Sequence, residues 1–219
     1  MPSIPLSRRA FDREGLPPLA LSNYYFEAAP TNLEDNVSLR PRPRITRFAA
    51  PEDGEIRGLY REGGVIGGAI ICRSGNNLYK VTQAGIPGVG TSTLIGAVDG
   101  SGRMSAEGSV DYVVLACGAS VFKTNGTTIS TIAIPDDLPI NAVDTLGQRF
   151  IFAQQASNTF WWTGPGDYVV DSLAFASAES QPDVLITLKV VDDVLWLVGR
   201  LSLEAWVETG DQDLPFERI

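Results

Sequence analysis

The chain has 219 residues, 44% of them apolar, which is enough to bury the core of one domain and leave an extension. It contains no histidine, which excludes imidazole bases, histidine-zinc sites and every catalytic triad built on histidine. The net charge is −9, and it is unevenly distributed: residues 1–50 carry seven basic and five acidic side chains, whereas the remainder carries ten basic and twenty-one acidic ones, a balance that disfavours nucleic-acid binding.

Residues 1–54 are predicted to form an extended arm rather than part of a core. They contain Pro17-Pro18 and an alternating Arg-Pro run over residues 40–44, and they sustain no helical or strand period. Such a segment is either a solvated tail or a strap that docks on a neighbouring subunit, and an aromatic triplet is unusual in a purely disordered chain. The candidate subunit-docking residues are Tyr24, Tyr25, Phe26, Arg40, Arg42 and Arg44.

The arginines of this arm could also follow a phosphate backbone. Acidic side chains within the first thirty-five residues dilute the positive field, however. Docking on protein is therefore the better hypothesis for the arm.

Residues 55–219 show a repeat of about forty residues, which predicts the blades of a β-propeller. Each unit has an apolar run, a turn and a second strand with an aromatic side chain. Large side chains on middle strands fill the wedge between neighbouring blades, so one aromatic per repeat is expected in the core. The apolar runs cover residues 69–72, 112–117, 150–153 and 194–198, and the aromatic residues are Tyr79, Phe122, Trp161 and Trp206.

Further strands complete these units. Residues 93–96, 127–134 and 142–144 are strand-like, and residues 184–198 read as a hairpin that turns at Asp192-Asp193. The predicted fold is therefore all-β, a propeller with four recognisable blades and an extended N-terminal arm. Four blades are few for a closed ring, so the open edge is expected to be covered by a second polypeptide or by further sequence of a longer product.

The two cysteines, Cys72 and Cys117, fall at inward-facing strand positions, and no wider cysteine framework exists. Two buried thiols are therefore favoured over a disulfide. The sequence also lacks a signal-peptide core and any run of about eighteen apolar residues, so no membrane anchor is predicted and synthesis is expected in the cytoplasm.

Three motifs suggest chemistry but have stronger structural explanations. The glycine-rich run over residues 85–90 lacks the Lys and Ser/Thr of a phosphate loop and is interpreted as a flexible loop between blades. Asp136-Asp137 and Asp192-Asp193 fall in turns, where aspartate bonds to the local backbone, so neither pair is predicted to be catalytic.

Two further candidates are weak. Asp211 and Asp213 begin like a calcium loop, but the glycine and the distal glutamate of such a loop are missing. Trp161 and Trp162 could form a platform for a sugar, although strand alternation would bury one of them and leave only the other for a ligand. No cofactor and no metal ion is predicted.

One stretch of the chain resembles a known family. Residues 178–183 read Ala-Glu-Ser-Gln-Pro-Asp, and an apolar strand, a turn and Leu-Glu-Ala-Trp at 203–206 follow. This resembles the tail-hub, or packaged-DNA-stabilisation, proteins of short-tailed bacteriophages, in which a Glu-Ser-Gln-Pro-Asp segment precedes a strand pair whose second member carries a Glu and an aromatic. Residues 23–25, 39–47 and 75–80 are similar as well. The motif residues are Glu179, Ser180, Gln181, Pro182, Asp183, Glu204 and Trp206.

The resemblance implies a structural protein of the virion tail that docks below the portal and the head-to-tail adaptor. It implies a ring of several copies, usually six, which closes the DNA exit channel after packaging and supports tail assembly and genome ejection. The adaptor and other tail proteins would be its partners, and DNA would pass only transiently. An acidic body suits a channel wall that must not hold DNA tightly. Family members are longer than this chain and have more blades.

Two other classes of protein compete with this interpretation. A ligand-binding or glycan-binding propeller, used in receptor recognition, is the alternative function. A propeller glycosidase is the third class, but no pair of acidic residues stands out from turn positions. The protein is therefore not predicted to be an enzyme.

Overall fold

A computed structural model gives the arrangement of the chain, and the residues that it describes are 24–28, 37–41, 47–51, 54–179, 183–212 and 214–219. The chain divides into two compact units, residues 1–46 and residues 47–219. In the first unit, strand β1 (Tyr24–Ala28) pairs antiparallel with strand β2 (Val37–Pro41). The sequence did not predict this ladder, because strands of five residues with little apolar alternation give no period to detect.

In the described part of the second unit, sixteen strands form four antiparallel sheets, each holding four strands in chain order. The predicted all-β propeller with four blades is thereby confirmed. Blade 1 consists of β3 (Ile56–Tyr60), β4 (Ile70–Ser74), β5 (Asn77–Gln83) and β6 (Gly90–Ala97), and blade 2 of β7 (Ser105–Gly108), β8 (Val113–Ala116), β9 (Val121–Thr124) and β10 (Ile129–Ile132). Blade 3 consists of β11 (Ile140–Leu146), β12 (Arg149–Gln154), β13 (Thr159–Thr163) and β14 (Val170–Ser177). Blade 4 consists of β15 (Leu185–Val191), β16 (Val194–Gly199), β17 (Leu203–Glu208) and β18 (Phe216–Arg218).

Tight turns between first and second strands use residues that tolerate a left-handed backbone. Asp192 and Asp193 have φ values of 51° and 60°, and Gly147 and Gln148 have values of 58° and 62°. Positive φ at both central residues is the mark of the type I′ turn, whose twist matches that of the flanking strands. The predicted hairpin over residues 184–198 is confirmed, with its turn at the two aspartates.

The other two motifs of the sequence also lie in connections between strands. Pro135–Asp137 forms a 3₁₀ turn between β10 and β11, so these aspartates have the turn position expected for them. The glycine-rich run over residues 85–90 connects β5 to β6 within blade 1, so the prediction of a loop between blades is wrong. A hydrogen bond from the Ala84 N–H to the Val89 carbonyl (2.7 Å) closes this connection as a hairpin of the same sheet.

The blades pack face to face through the aromatic row that the repeat predicted. Tyr79, Phe122, Trp161 and Trp206 all lie on the third strand of their blade, and all four are buried. The last three belong to hydrophobic clusters that each shares with the preceding blade. We therefore call the face that carries these aromatics the leading face of a blade, and the opposite face its trailing face.

Both faces of blade 3 are covered by neighbouring blades. Trp161 on the leading face packs against blade 2, and Trp162 on the trailing face packs against blade 4. Their exposed fractions are 6% and 2%. The expectation that one of the two would remain available for a ligand is therefore wrong. Strand alternation directs the two side chains to opposite faces of the sheet, and in this blade a neighbouring blade covers each face.

The trailing face of blade 4 is different. Val194 and Ala205 on this face are partly exposed, whereas Ile151 and Phe160, at the equivalent positions of blade 3, are fully buried. Trp196, which pairs with Ala205 across strands, is also only half-buried. This face is an apolar surface that no other blade among the described residues of the second unit covers.

Both cysteines are free and buried, as the sequence predicted. Burial raises the pKa of the Cys117 thiol to about 11, and it also raises the pKa of Cys72. A buried thiol with a raised pKa has little thiolate at neutral pH, so these two side chains act as small apolar residues of the core.

Candidate functional site

The family-like motif surrounds the start and the second turn of blade 4. The Asp183 carboxylate accepts hydrogen bonds from the Val184 N–H (2.8 Å), the Leu201 N–H, and both the N–H and the hydroxyl of Ser202 (3.1 Å each). Asp183 thereby fastens the segment that leads into β15 to the turn between β16 and β17. A Cβ on Gly199 would collide with the Asp183 carboxylate and the Ser202 hydroxyl, so a larger residue here would displace these two hydrogen-bonding groups.

Of the other residues in the first half of the motif, the structure describes one. Glu179 is exposed, and Ser180, Gln181 and Pro182 lie outside the described residues. The contacts of Asp183 nevertheless give a physical reason for a motif that ends in aspartate: one carboxylate satisfies several turn N–H groups that β16 and β17 do not use.

We predict that Asp183→Asn destabilises the protein at neutral pH. The hydrogen bond from the Leu201 N–H, together with those from Ser202 and Val184, lowers the pKa of Asp183 below its ordinary value. A lowered folded-state pKa contributes stability above the unfolded pKa, and this contribution is lost as the pH falls through the folded pKa. Urea unfolding should therefore show a difference between wild type and variant at pH 7 that shrinks under acidic conditions.

The matched control for this experiment is Glu217→Gln, since Glu217 is an exposed carboxylate in the same blade. Its unfolding curves should follow those of the wild type at every pH. A difference for Asp183→Asn that stayed constant down to strong acid would contradict the assignment of the effect to the charged carboxylate.

The second half of the motif orients an aromatic residue of the core. The Trp206 indole Nε1 donates to Glu204 Oε2 (2.9 Å), and the Arg218 guanidinium lies 3.8 Å from Glu204 Oε1. Glu204 is only 4% exposed, so its charge is balanced by these partners rather than by water. The Trp206 ring meets Phe160 of blade 3 edge-on, with centroids 5.2 Å apart. The Glu-x-Trp pattern therefore holds blade 4 against blade 3.

A charged cluster that sequence reasoning missed joins the first strands of three blades. Lys189 Nζ on β15 lies 2.7 Å from Asp144 Oδ2 on β11 and 3.5 Å from Glu107 Oε2 on β7. Asp144 is 3% exposed and also accepts the Val190 N–H (2.8 Å). Burial, and then the charge of Asp144, raise the pKa of Glu107. Each residue looks in the sequence like an isolated strand charge, and only the packing of blades brings them together.

Four of the predicted docking residues lie in the strand pair of the first unit. Within this pair, Tyr25 stands opposite Arg40, Tyr24 opposite Pro41, and Phe26 opposite Leu39. Arg42 and Arg44 lie outside the described residues. The backbone ladder thus brings the aromatic triplet and Arg40 into register, which the sequence did not indicate.

The acidic residues that suggested a calcium loop do not form a metal site in the described part of the chain. Its His, Cys, Asp and Glu residues include no group of three or more that could hold a metal ion. Asp211 instead accepts the Leu214 N–H (3.1 Å) within a turn, while Asp213 lies outside the described residues. No helix among the described residues is long and apolar enough to span a membrane.

Four face-packed, four-stranded antiparallel sheets define the class of this protein as a β-propeller. The family described as "Bacteriophage P22 Gp10, beta-propeller" matches residues 20–219, and the chain belongs to this family. The match confirms the resemblance that the Glu-Ser-Gln-Pro-Asp segment suggested. A comparison with curated proteins found no match.

The fold of one solved structure is similar to that of this chain, and a related structure is reported beside it. The crystal structure of Kluyveromyces marxianus Hsv2 superposes with a TM-score of 0.52 at 14% identity, over 84% of this chain and 59% of that one. Kluyveromyces lactis Hsv2 gives a TM-score of 0.49 at 12% identity, over 85% of this chain and 59% of that one. At such identities the likeness concerns the fold alone. The chain spans 59% of the length of these two structures.

Proposed function

We propose that this protein is a structural component of a short-tailed bacteriophage virion, a tail hub or nozzle protein without catalytic activity or cofactor. It docks below the portal and adaptor, closes the DNA exit channel after packaging, and supports tail assembly and genome ejection. Membership of the phage P22 Gp10 family over residues 20–219 is the observation that carries this proposal. The protein is made in the host cytoplasm and ends in the virion tail.

A ring of copies, six in number, is the proposed working form, with the adaptor and other tail proteins as neighbours. The uncovered trailing face of blade 4 supports a protein partner there, because an apolar sheet face of this kind is covered in each of the other described blades. A second polypeptide segment that adds a blade is the proposed occupant of this face.

The charge of the body suits a channel through which DNA slides. Beyond residue 50 the chain carries twenty-one acidic and ten basic side chains. Like-charged walls repel the phosphate backbone and leave the genome mobile. Reversing acidic charges that face the channel should therefore slow ejection and make its rate more sensitive to salt, and unchanged kinetics would contradict this part of the proposal.

The direct test uses particles assembled in the absence of this protein. We expect such particles to package DNA and then lose it, and purified full-length chain added to them to restore nuclease-protected DNA and infectivity. Native mass spectrometry of the purified full-length chain should show ring-sized oligomers. Particles that retain DNA equally well without the chain would refute the proposal, and a strict monomer with saturable sugar binding would favour a glycan-binding module.

A further inference from the structure

A cavity of about 520 Å³ opens on one end of the propeller, and no part of the proposed function uses it. It is bounded by the turns between first and second strands of blades 2, 3 and 4, and by the connection between β13 and β14. Turn residues that line it are Val110 and Asp111 of blade 2, Gln148 of blade 3 and Asp193 of blade 4.

The floor of the cavity is apolar and already well packed. Phe150 and Leu146 are buried, and the Tyr168 ring stacks on Phe150 with centroids 5.6 Å apart. Lys123 Nζ lies 4.2 Å from the centre of the Tyr168 ring, and the Tyr168 hydroxyl is bonded to Ser109 Oγ (2.7 Å). Because the ring and the hydroxyl of Tyr168 are engaged in this way, the cavity does not offer the free aromatic face on which a sugar stacks.

The mouth of the cavity combines exposed apolar and acidic side chains. Val110 is 84% exposed, and Asp111 and Asp193 are exposed carboxylates. Among the described residues that line the cavity there is neither a lysine nor an arginine. A long side chain with an apolar stem and a cationic end matches this arrangement. The stem would cover the apolar floor, and a guanidinium at its end would form hydrogen bonds to the carboxylates at the rim.

The chain itself carries a segment with this chemistry. Residues 40–44 read Arg-Pro-Arg-Pro-Arg, within a region of net positive charge, whereas the rest of the chain is strongly acidic. Alternating prolines favour an extended backbone that displays every second side chain without internal hydrogen bonds. The ring proposed above supplies neighbouring copies of the chain, each of which carries this segment.

We infer that the cavity at the turns of blades 2, 3 and 4 is the acceptor for arginine side chains of the Arg40–Arg44 segment of a second copy of this chain. The charge complementarity between the two surfaces carries the inference, which rests on the proposed ring for the proximity of the copies. The same interface then repeats around a closed ring, because every copy offers one arm and one cavity.

A charge-swap experiment tests the inference with full-length chains. The cavity variant carries Asp111→Lys and Asp193→Lys, and the arm variant carries Arg42→Glu and Arg44→Glu. Each variant alone should fail to form rings, whereas an equimolar mixture should form rings in which the two variants alternate, since each arm then meets a cavity of opposite charge. Native mass spectrometry measures how many copies of each variant a ring contains. Rings formed by either variant alone, or no rings in the mixture, would overturn the inference.

A second measurement separates this inference from the ring itself. A fluorescent peptide of residues 37–47 is titrated into the full-length protein, and its affinity should fall about tenfold or more in the cavity variant and with added salt. The control variant, Glu179→Lys with Glu217→Lys, changes the net charge equally at two exposed sites away from the cavity and should bind as the wild type does. Equal affinities for all three proteins would refute the acceptor site even if rings form, whereas peptide binding by a strictly monomeric protein would support the site and refute the ring.

Discussion

Arg73→Met is expected to lower the free energy of unfolding by about 3–5 kcal/mol. The Arg73 side chain is fully buried, and its guanidinium donates to the carbonyls of Gly102 (2.9 Å), Asp99 (3.3 Å) and Gly100, while its Nε donates to Gly75 (3.2 Å). One cation thus holds the connection that leads from blade 1 into blade 2. A methionine of similar length would keep much of the packing but would leave several buried carbonyls without donors.

Urea unfolding followed by tryptophan fluorescence would measure this loss. The matched control is Arg103→Met, because Arg103 is an exposed arginine in the same connection and its replacement should cost less than about 0.5 kcal/mol. Equal stability of the two variants would show that the carbonyls find other partners.

Trp206→Ala is expected to cost about 3–5 kcal/mol, which is the range for a large aromatic removed from a core. Trp206 is 9% exposed and packs edge-on against Phe160 in the interface between blades 3 and 4. Its loss would leave a cavity there and would deprive the buried Glu204 carboxylate of the indole N–H. The cost would therefore combine lost packing with an incompletely satisfied buried charge.

Trp196→Ala provides the matched comparison within the same blade. Trp196 lies on the uncovered trailing face and is half-buried, so its replacement should cost only about 1 kcal/mol in the isolated chain. Chemical denaturation of both variants at low protein concentration measures the difference. A cost for Trp196→Ala equal to that of Trp206→Ala would mean that another segment covers the trailing face in solution, and the cost would then depend on protein concentration if that segment belongs to a second copy.

The repeat was readable from the sequence because a blade has a strong local signature. Apolar runs such as residues 150–153, with an aromatic on the next strand, recur at similar intervals, and turns such as Asp192-Asp193 carry their own conformational preference. The number of blades, the hairpin and the two buried thiols could all be predicted in this way. The strand pair of the first unit could not, since its short strands show no apolar period.

The candidate site was only partly accessible to sequence reasoning. The resemblance pointed to Asp183, Glu204 and Trp206 but gave no reason for them; the structure shows one as a turn cap and the other two as an oriented packing unit. Arg73 looked like an ordinary strand arginine, and Lys189 like an ordinary surface lysine. Their importance depends on contacts with residues between 26 and 82 positions away in the chain. A local sequence pattern does not indicate contacts between residues so far apart.

The amino-acid sequence by itself determined the class of fold, the repeat and the asymmetry of charge between arm and body, because these follow from local periodicity and composition. The tertiary structure alone decided which faces are interiors. Strand alternation assigns Trp161 and Trp162 to opposite faces, yet both are buried because blade 3 has a neighbouring blade on each side. Trp196 is partly exposed because no described blade covers the trailing face of blade 4. Burial depends on what packs against a face, and that is set by contacts between blades rather than by the strand that carries the residue.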